Sequence, residues 1–201
     1  NEVETCLRTF RRLVAANIYL TPTLLIRQRR SELSREDLFE ISRIGQMPAV
    51  VADDWRQRLA VRVERTDADG WAAARRQYAH EQRITELAIE AGAKLLAGTD
   101  TGDLFVPPGL GLHDELQLLV AAGMTEMQAL QAATSNPADF LGLQDEGRVG
   151  KGARADLVLM SRNPLADVRH TRDIEAVIVG GKLLDRAALA RLATAGNSHQ
   201  R

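Results

Sequence analysis

Residues 94–100 read Lys-Leu-Leu-Ala-Gly-Thr-Asp, a short apolar run that stops at a glycine and turns polar. The residues before it, Ile84, Leu87, Ala88 and Ala91, recur at helical spacing and are closed by Gly92. A helix feeding a near-continuous apolar run of this length predicts a parallel strand of an α/β sheet, covered on both faces. Such a strand needs a neighbour running the same way and a crossover to reach it. The candidate neighbour is Ile18-Tyr19-Leu20-Thr21-Pro22-Thr23-Leu24, a β-branched and aromatic stretch. Pro22 cannot donate to a ladder, so this strand ends there or lies where no donor is needed. Ahead of it, Val3, Leu7, Phe10 and Val14 mark one face of a helix that Asn17 ends.

Between the two strands the chain is mostly helical. Ser34 with Asp37 has capping-box spacing, and Leu38, Ile41 and Ile44 then share a face before Gly45. Val51, Trp55 and Leu59 mark a second helix. So much helix exceeds an ordinary crossover and predicts an inserted lid or cap over residues 27–91. Past the second strand, Leu112 to Ala122 and Thr125 to Thr134 read as helices, the latter with Thr125 and Gln128 at capping-box spacing. Asn136-Pro137 starts a short helix, Asn as cap and Pro in the first turn, stopped by Gly142. From about residue 145 the texture changes to Leu157-Val158-Leu159-Met160 and to Val177-Ile178-Val179 and Leu183-Leu184 around Gly180-Gly181-Lys182, a hairpin signature. Asp185 then caps a last helix. The expected organisation is an α/β segment over 1–145 and a small β-rich segment with a C-terminal helix over 146–201.

Composition narrows the function classes. With 26 basic and 27 acidic side chains the formal net charge is -1, which offers no electrostatic footprint for nucleic acid or an anionic membrane. Arg27, Arg29, Arg30 and Arg35 stand among Glu32, Glu36 and Asp37 with no interleaved aromatics, a solvated helix entrance. No apolar run approaches the ~20 residues that cross a bilayer. The single Cys6 precludes an internal disulfide and fits a reducing, cytoplasmic setting; its place near the first helix's apolar face reads as packing. The chain opens on Asn1 with no initiator Met and no signal-peptide pattern, and is expected to be part of a longer protein.

The chemistry-bearing candidates are few. Asp100 stands at the carboxyl end of a buried strand, where α/β barrels gather their reacting groups. A carboxylate there can bind a cation or exchange a proton with metal-bound water; it can equally cap the turn that follows. His113 follows the rigid Pro107-Pro108-Gly109-Leu110-Gly111 and precedes Asp114-Glu115. It can present an imidazole to substrate, or simply begin a helix beside acids that suit the dipole. His80, His170 and His199 stand among charged residues as surface side chains. His-x-His, His-Glu-x-x-His, paired cysteines, a Gly-x-Ser-x-Gly elbow and a phosphate loop are absent from the sequence.

Several of these pieces occur in one order. Leu96-Ala97-Gly98-Thr99-Asp100 is followed by Leu112-His113-Asp114-Glu115-Leu116, Ala122-Gly123-Met124-Thr125 and Ala133-Thr134-Ser135-Asn136-Pro137-Ala138. Gly147-Arg148-Val149-Gly150-Lys151-Gly152, Ala155-Asp156-Leu157-Val158 and Val177-Ile178-Val179-Gly180-Gly181 complete the series. Together they resemble the C-terminal portion of the amidohydrolase superfamily, in its imidazolonepropionase-like and Xaa-Pro dipeptidase-like branch. The resemblance implies the last part of a (β/α)8 barrel, strands 7 and 8 with their helices, plus part of a small β-sandwich. It implies hydrolysis of an amide or cyclic-amide C–N bond in a small-molecule or dipeptide substrate, with a divalent metal, zinc first, in one or two ions. Asp100 then takes the eighth-strand role of metal ligand and proton carrier, and His113 a substrate-positioning one. The family's other ligands have no match here, and a whole barrel takes about 250 residues. The chain is therefore expected to be inactive without the N-terminal half of the barrel. Exposed sheet edges would favour a homo-oligomer; the alternative to an enzyme part is a non-catalytic oligomerising or interaction fragment.

Overall fold

The computed structural model describes residues 2–34, 38 and 44–198. The expected pairing of Ser34 with Asp37, the helical face through Ile41, the acids Glu36 and Asp37 beside Arg35, and His199 fall outside those residues. The chain packs as two compact units, one up to Met124 and one from Thr125 on. The boundary expected at 145/146 falls inside the second.

In the first unit, α1 (Glu2–Ala15) is stopped at Asn17, whose φ of 53° is a left-handed turn that asparagine tolerates. Then β1 (Tyr19–Leu20) pairs in parallel with β2 (Lys94–Leu95), Tyr19 opposite Lys94 and Leu20 opposite Leu95. The Leu96 amide donates to the Leu20 carbonyl at 2.8 Å and carries the ladder one step further. The parallel pairing agrees with the sequence pattern; the strand lengths do not. Leu24 belongs to helix α2 (Leu24–Ser31), because Pro22 supplies no donor and Thr23 turns left-handed at φ 51°. Lys94 is no buried position either. Its Nζ donates to Asn17 Oδ1 at 3.1 Å and lies 5.1 Å from the centre of the Tyr19 ring.

The connection from β1 to β2 runs through α2, a 3-10 turn (Ile44–Gln46), α3 (Ala49–Glu64) and α4 (Ala68–Glu90). Asp67 caps α4 by accepting from the Gly70 amide at 2.8 Å, and Gly92 at φ 82° ends it. α4 packs on both α1 and α2, as the covering helix of a parallel crossover does. α3 turns Ala52, Trp55 and Leu59 into a core shared with Leu33, Leu38, Ile44, Trp71, Leu104 and Phe105. Each of the larger side chains contributes about 1.5–3 kcal/mol by leaving water. After β2 a loop leads to α5 (Leu110–Ala121), which packs on α2.

In the second unit, α6 (Glu126–Ala132) opens with the full capping box: Thr125 Oγ1 accepts from the Gln128 amide and Gln128 Oε1 from the Thr125 amide. α7 (Ser135–Leu141) follows, and here the cap differs from expectation. Thr134 occupies the cap position, but its hydroxyl donates back to the Leu130 carbonyl at 2.7 Å and does not cap the helix, and Asn136 lies in the first turn. Gly142, φ 72°, ends the helix as expected. Strands β3 (Leu157–Met160), β4 (Ile174–Val179) and β5 (Lys182–Asp185) form an antiparallel sheet in that order. Gly180 and Gly181, at φ 55° and 80°, make the two-residue β4–β5 hairpin, a conformation that asks both central residues for positive φ. Asp185 then caps α8 (Arg186–Ser198), accepting from the Ala188 amide at 2.8 Å. Among the described residues no helix is long and apolar enough to cross a membrane.

Candidate active site

The carboxyl ends of β1 and β2 meet closely. At Gly98 a Cβ would fall 2.5 Å from Thr21 Cγ2, so a side chain here would force Thr21 to shift, and the glycine lets the two strand ends approach this closely. One residue further Thr99 lies against α5: a Cβ on Gly111 would be 3.1 Å from Leu25, 3.5 Å from Val106 and 3.7 Å from Thr99. Two glycines thus bring the ends of both strands and the first turn of α5 into one tight cluster.

Asp100 follows directly, exposed, with its backbone left-handed at φ 55°. For a β-carbon residue that conformation costs about 1–2 kcal/mol, an amount that aspartate recovers better than most. What holds it is the loop after it. Thr101 Oγ1 donates to the Val106 carbonyl at 2.9 Å, closing the loop on itself. Asp103 accepts from Arg30 of α2 at 2.5 Å, Arg58 of α3 at 3.2 Å and the Leu104 amide at 2.7 Å. Partial burial works to raise its pKa, but the Arg30 hydrogen bond, the Leu104 amide and the two guanidinium charges outweigh it and hold the carboxyl below its ordinary value. Phe105, itself at φ 61°, is fully buried, its ring centre 5.6 Å from that of Trp55. The loop is therefore pinned from both ends to the helical connection.

His113 lies inside α5, partly buried, and its carbonyl accepts from Gln117 Nε2 at 3.0 Å. Its two acidic neighbours fasten α5 to α2. Asp114 pairs with the buried Arg29 at 3.4 Å. Glu115, 0 % exposed, accepts from the Leu24 amide at 3.0 Å and the Leu25 amide at 2.7 Å. It supplies from another helix the cap that Thr23 does not give α2. Burial pushes the Glu115 carboxyl up to about 7, against the pull of the two amides. Sequence reasoning took Glu115 for a helix-start acid and passed over Asp103. The signal for Glu115 was there, since Gly111, Glu115 and Leu119 fall at i, i+4 and i+8 on the buried stripe. Asp103, a polar residue after glycine in a loop, carried none.

Among the described residues, no three His, Cys, Asp or Glu side chains stand together where they could hold a metal ion. A catalytic zinc takes three protein ligands plus water. The described residues do not make up that set.

Residues 4–184 match the amidohydrolase family. The chain belongs to that family. Among curated proteins, the ochratoxinase of Aspergillus niger is 33% identical over 121 residues, 57% of this chain and 24% of the ochratoxinase. The imidazolonepropionase of Deinococcus deserti is 35% identical over 88 residues, 41% of this chain and 21% of that protein. Among solved structures, the bottromycin amidohydrolase superposes with a TM-score of 0.69 at 29% identity, over 90% of this chain and 40% of its own. The chain thus spans well under half the length of these amidohydrolases, and its mixed helix and strand architecture is theirs.

Proposed function

We propose that this chain forms the seventh and eighth strands of an amidohydrolase barrel, with their helices, and part of the adjoining small β-sandwich. In this reading the helical interval 27–91 is an insertion over the barrel mouth, and 146–201 is the β-rich segment. The complete protein hydrolyses an amide or cyclic-amide C–N bond in a small-molecule or peptide substrate. Asp100 is the catalytic carboxylate: it takes a proton from the attacking water and returns it to the departing nitrogen. It is also the ligand that this chain contributes to a divalent-metal site, zinc being the expected ion; the remaining ligands come from the N-terminal half of the barrel. His113, on α5, positions substrate.

The observation that carries this reading is the cluster at the strand ends. The parallel register of β1 and β2, the side-chain-free crossing at Gly98 and the pinned loop at Asp103 fix the backbone that bears Asp100. A turn-capping aspartate needs no such support. Self-association belongs to the same reading, because Val158, Leu159, Val179 and Leu183 of the three-stranded sheet are exposed apolar side chains.

The test is hydrolysis of amide substrates by the complete protein, wild type against Asp100→Asn. The substitution keeps the size of the side chain and removes its proton-carrying capacity, and should lower kcat by about 10²–10⁴-fold with an unchanged circular-dichroism spectrum. A variant within about twofold of wild type refutes the assignment. The 201-residue chain alone should show no hydrolysis and no stoichiometric zinc by elemental analysis.

A further inference from the structure

The helical connection carries a second feature, on the exposed side of α3. Arg58, Arg62 and Arg65 recur at i, i+4 and i+7, which places three guanidiniums along one face of the helix. They line a groove of about 590 Å³ with Asp54, Gln57, Val61, Thr66 and Leu104. Arg58 is committed, to Asp103 at 3.2 Å and Asp54 at 3.5 Å. Arg62 and Arg65 are not: among the described residues neither side chain has an ion-pair or hydrogen-bond partner. Among the described residues that line the groove, three cations therefore face one acid, itself shared with Arg58. The C-terminal dipole of α3 accounts for cations in its last turn. It does not account for an apolar floor beneath them, where Val61 is 45% exposed and Leu104 is nearly buried.

We propose that this groove is a binding site for an amphiphilic organic carboxylate, an anion with a flat or branched apolar body. Arg62 and Arg65 grip the carboxylate, whose two oxygens match the fork of a guanidinium. The apolar body lies on Val61 and Leu104. Leu104 is part of the loop that Asp103 and Phe105 pin, so an occupant would rest on the same loop that follows Asp100. The proposal does not depend on Asp100 being catalytic, and binding to the 201-residue chain tests it without any turnover.

The experiment is a titration of the isotope-labelled chain with 3-phenylpropionate, followed by nuclear magnetic resonance at the arginine Nε–H signals and the Leu104 amide. Saturable shifts at all three, with a Kd of about 1 mM or tighter, are expected. Neutral 3-phenylpropionamide should bind at least about tenfold more weakly, as should 3-phenylpropionate to the double variant Arg62→Gln/Arg65→Gln. Arg62→Lys/Arg65→Lys, which keeps the charge and loses the fork, should fall between. Arg8→Gln, on α1, should bind like wild type. Equal affinity for the amide, equal affinity for inorganic phosphate, or no saturable shift in the wild-type chain would each overturn the proposal.

Discussion

Glu115 gives the most exacting test of the structure, because its charge is set by burial while its partners are backbone. Folding moves its carboxyl from an ordinary 4.5 up to about 7, desolvation being the larger cause and the amides of Leu25 and Leu24 opposing it. Between those values the folded chain holds a proton that the unfolded chain has released. The contribution of Glu115 to stability is therefore fully present below pH about 4.5, declines as pH rises, and is lost above about 7. One pH unit of such a shift corresponds to about 1.4 kcal/mol, so the full swing is about 3–3.5 kcal/mol, most of it between pH 5 and pH 8. Glu115→Gln removes the titration. It also sets a side-chain donor against one of the two amides, a pH-independent cost of about 1–3 kcal/mol. The assay is urea unfolding from pH 5 to pH 8, read by tryptophan fluorescence, since Trp55 and Trp71 both lie in the core of the first unit. Stability of the wild type relative to Glu115→Gln should fall by about 2–3 kcal/mol across that range. A difference constant to within about 0.5 kcal/mol, or one that grows with pH, would mean that the two amides hold the carboxylate ionised and that burial does not govern it.

Three other substitutions address the packing around the strand ends. Gly98→Ala places a methyl 2.5 Å from Thr21 Cγ2 and should cost about 1–3 kcal/mol in urea unfolding; adding Thr21→Ser, which deletes that Cγ2, should recover most of it. Additive losses in the double variant would refute the contact. Phe105→Ala empties a fully buried position against Trp55 and should cost about 3–5 kcal/mol, seen as a lower urea midpoint with altered tryptophan emission. Arg58→Ala leaves Asp103 its bond to Arg30 and removes two partly exposed ion pairs, to Asp103 and Asp54, so a loss of about 1 kcal/mol or less is expected by the same measurement.

Local chemistry was the most legible part of the sequence. Thr125 with Gln128, Asp185, Gly92, Gly142 and the Gly180-Gly181 turn all act where their residue types predict, because caps and turns are decided within a few residues. The parallel relation of the two apolar runs was also readable, and the ordered motifs from Leu96 to Gly181 pointed to the family that residues 4–184 match. Strand extent was not. Apolar character ran on through Leu24 in one case and polar tolerance allowed Lys94 in the other, while the backbone obeyed Pro22 and the left-handed Thr23. Asn136 lost the cap to Thr134 although its side chain suits that place, since the helix begins at Ser135, two residues earlier than Pro137 suggested. The roles of Glu115 and Asp103 were hidden for a different reason. Glu115 caps a helix some 90 residues away, and Asp103 reaches Arg30 across 73 positions and Arg58 across 45, distances over which residue type alone says nothing.

The loop between Asp100 and Val106 has a consequence for anyone recombining relatives of this chain. Because Asp103 grips Arg30 and Arg58 and Phe105 is seated beside Trp55, that heptapeptide and the helices before β2 behave as a lock with its key. Grafting the helices from a cousin without the matching loop would leave an aromatic ring without its socket and a carboxylate without its cations. The exchangeable cassette therefore extends past β2 to Val106.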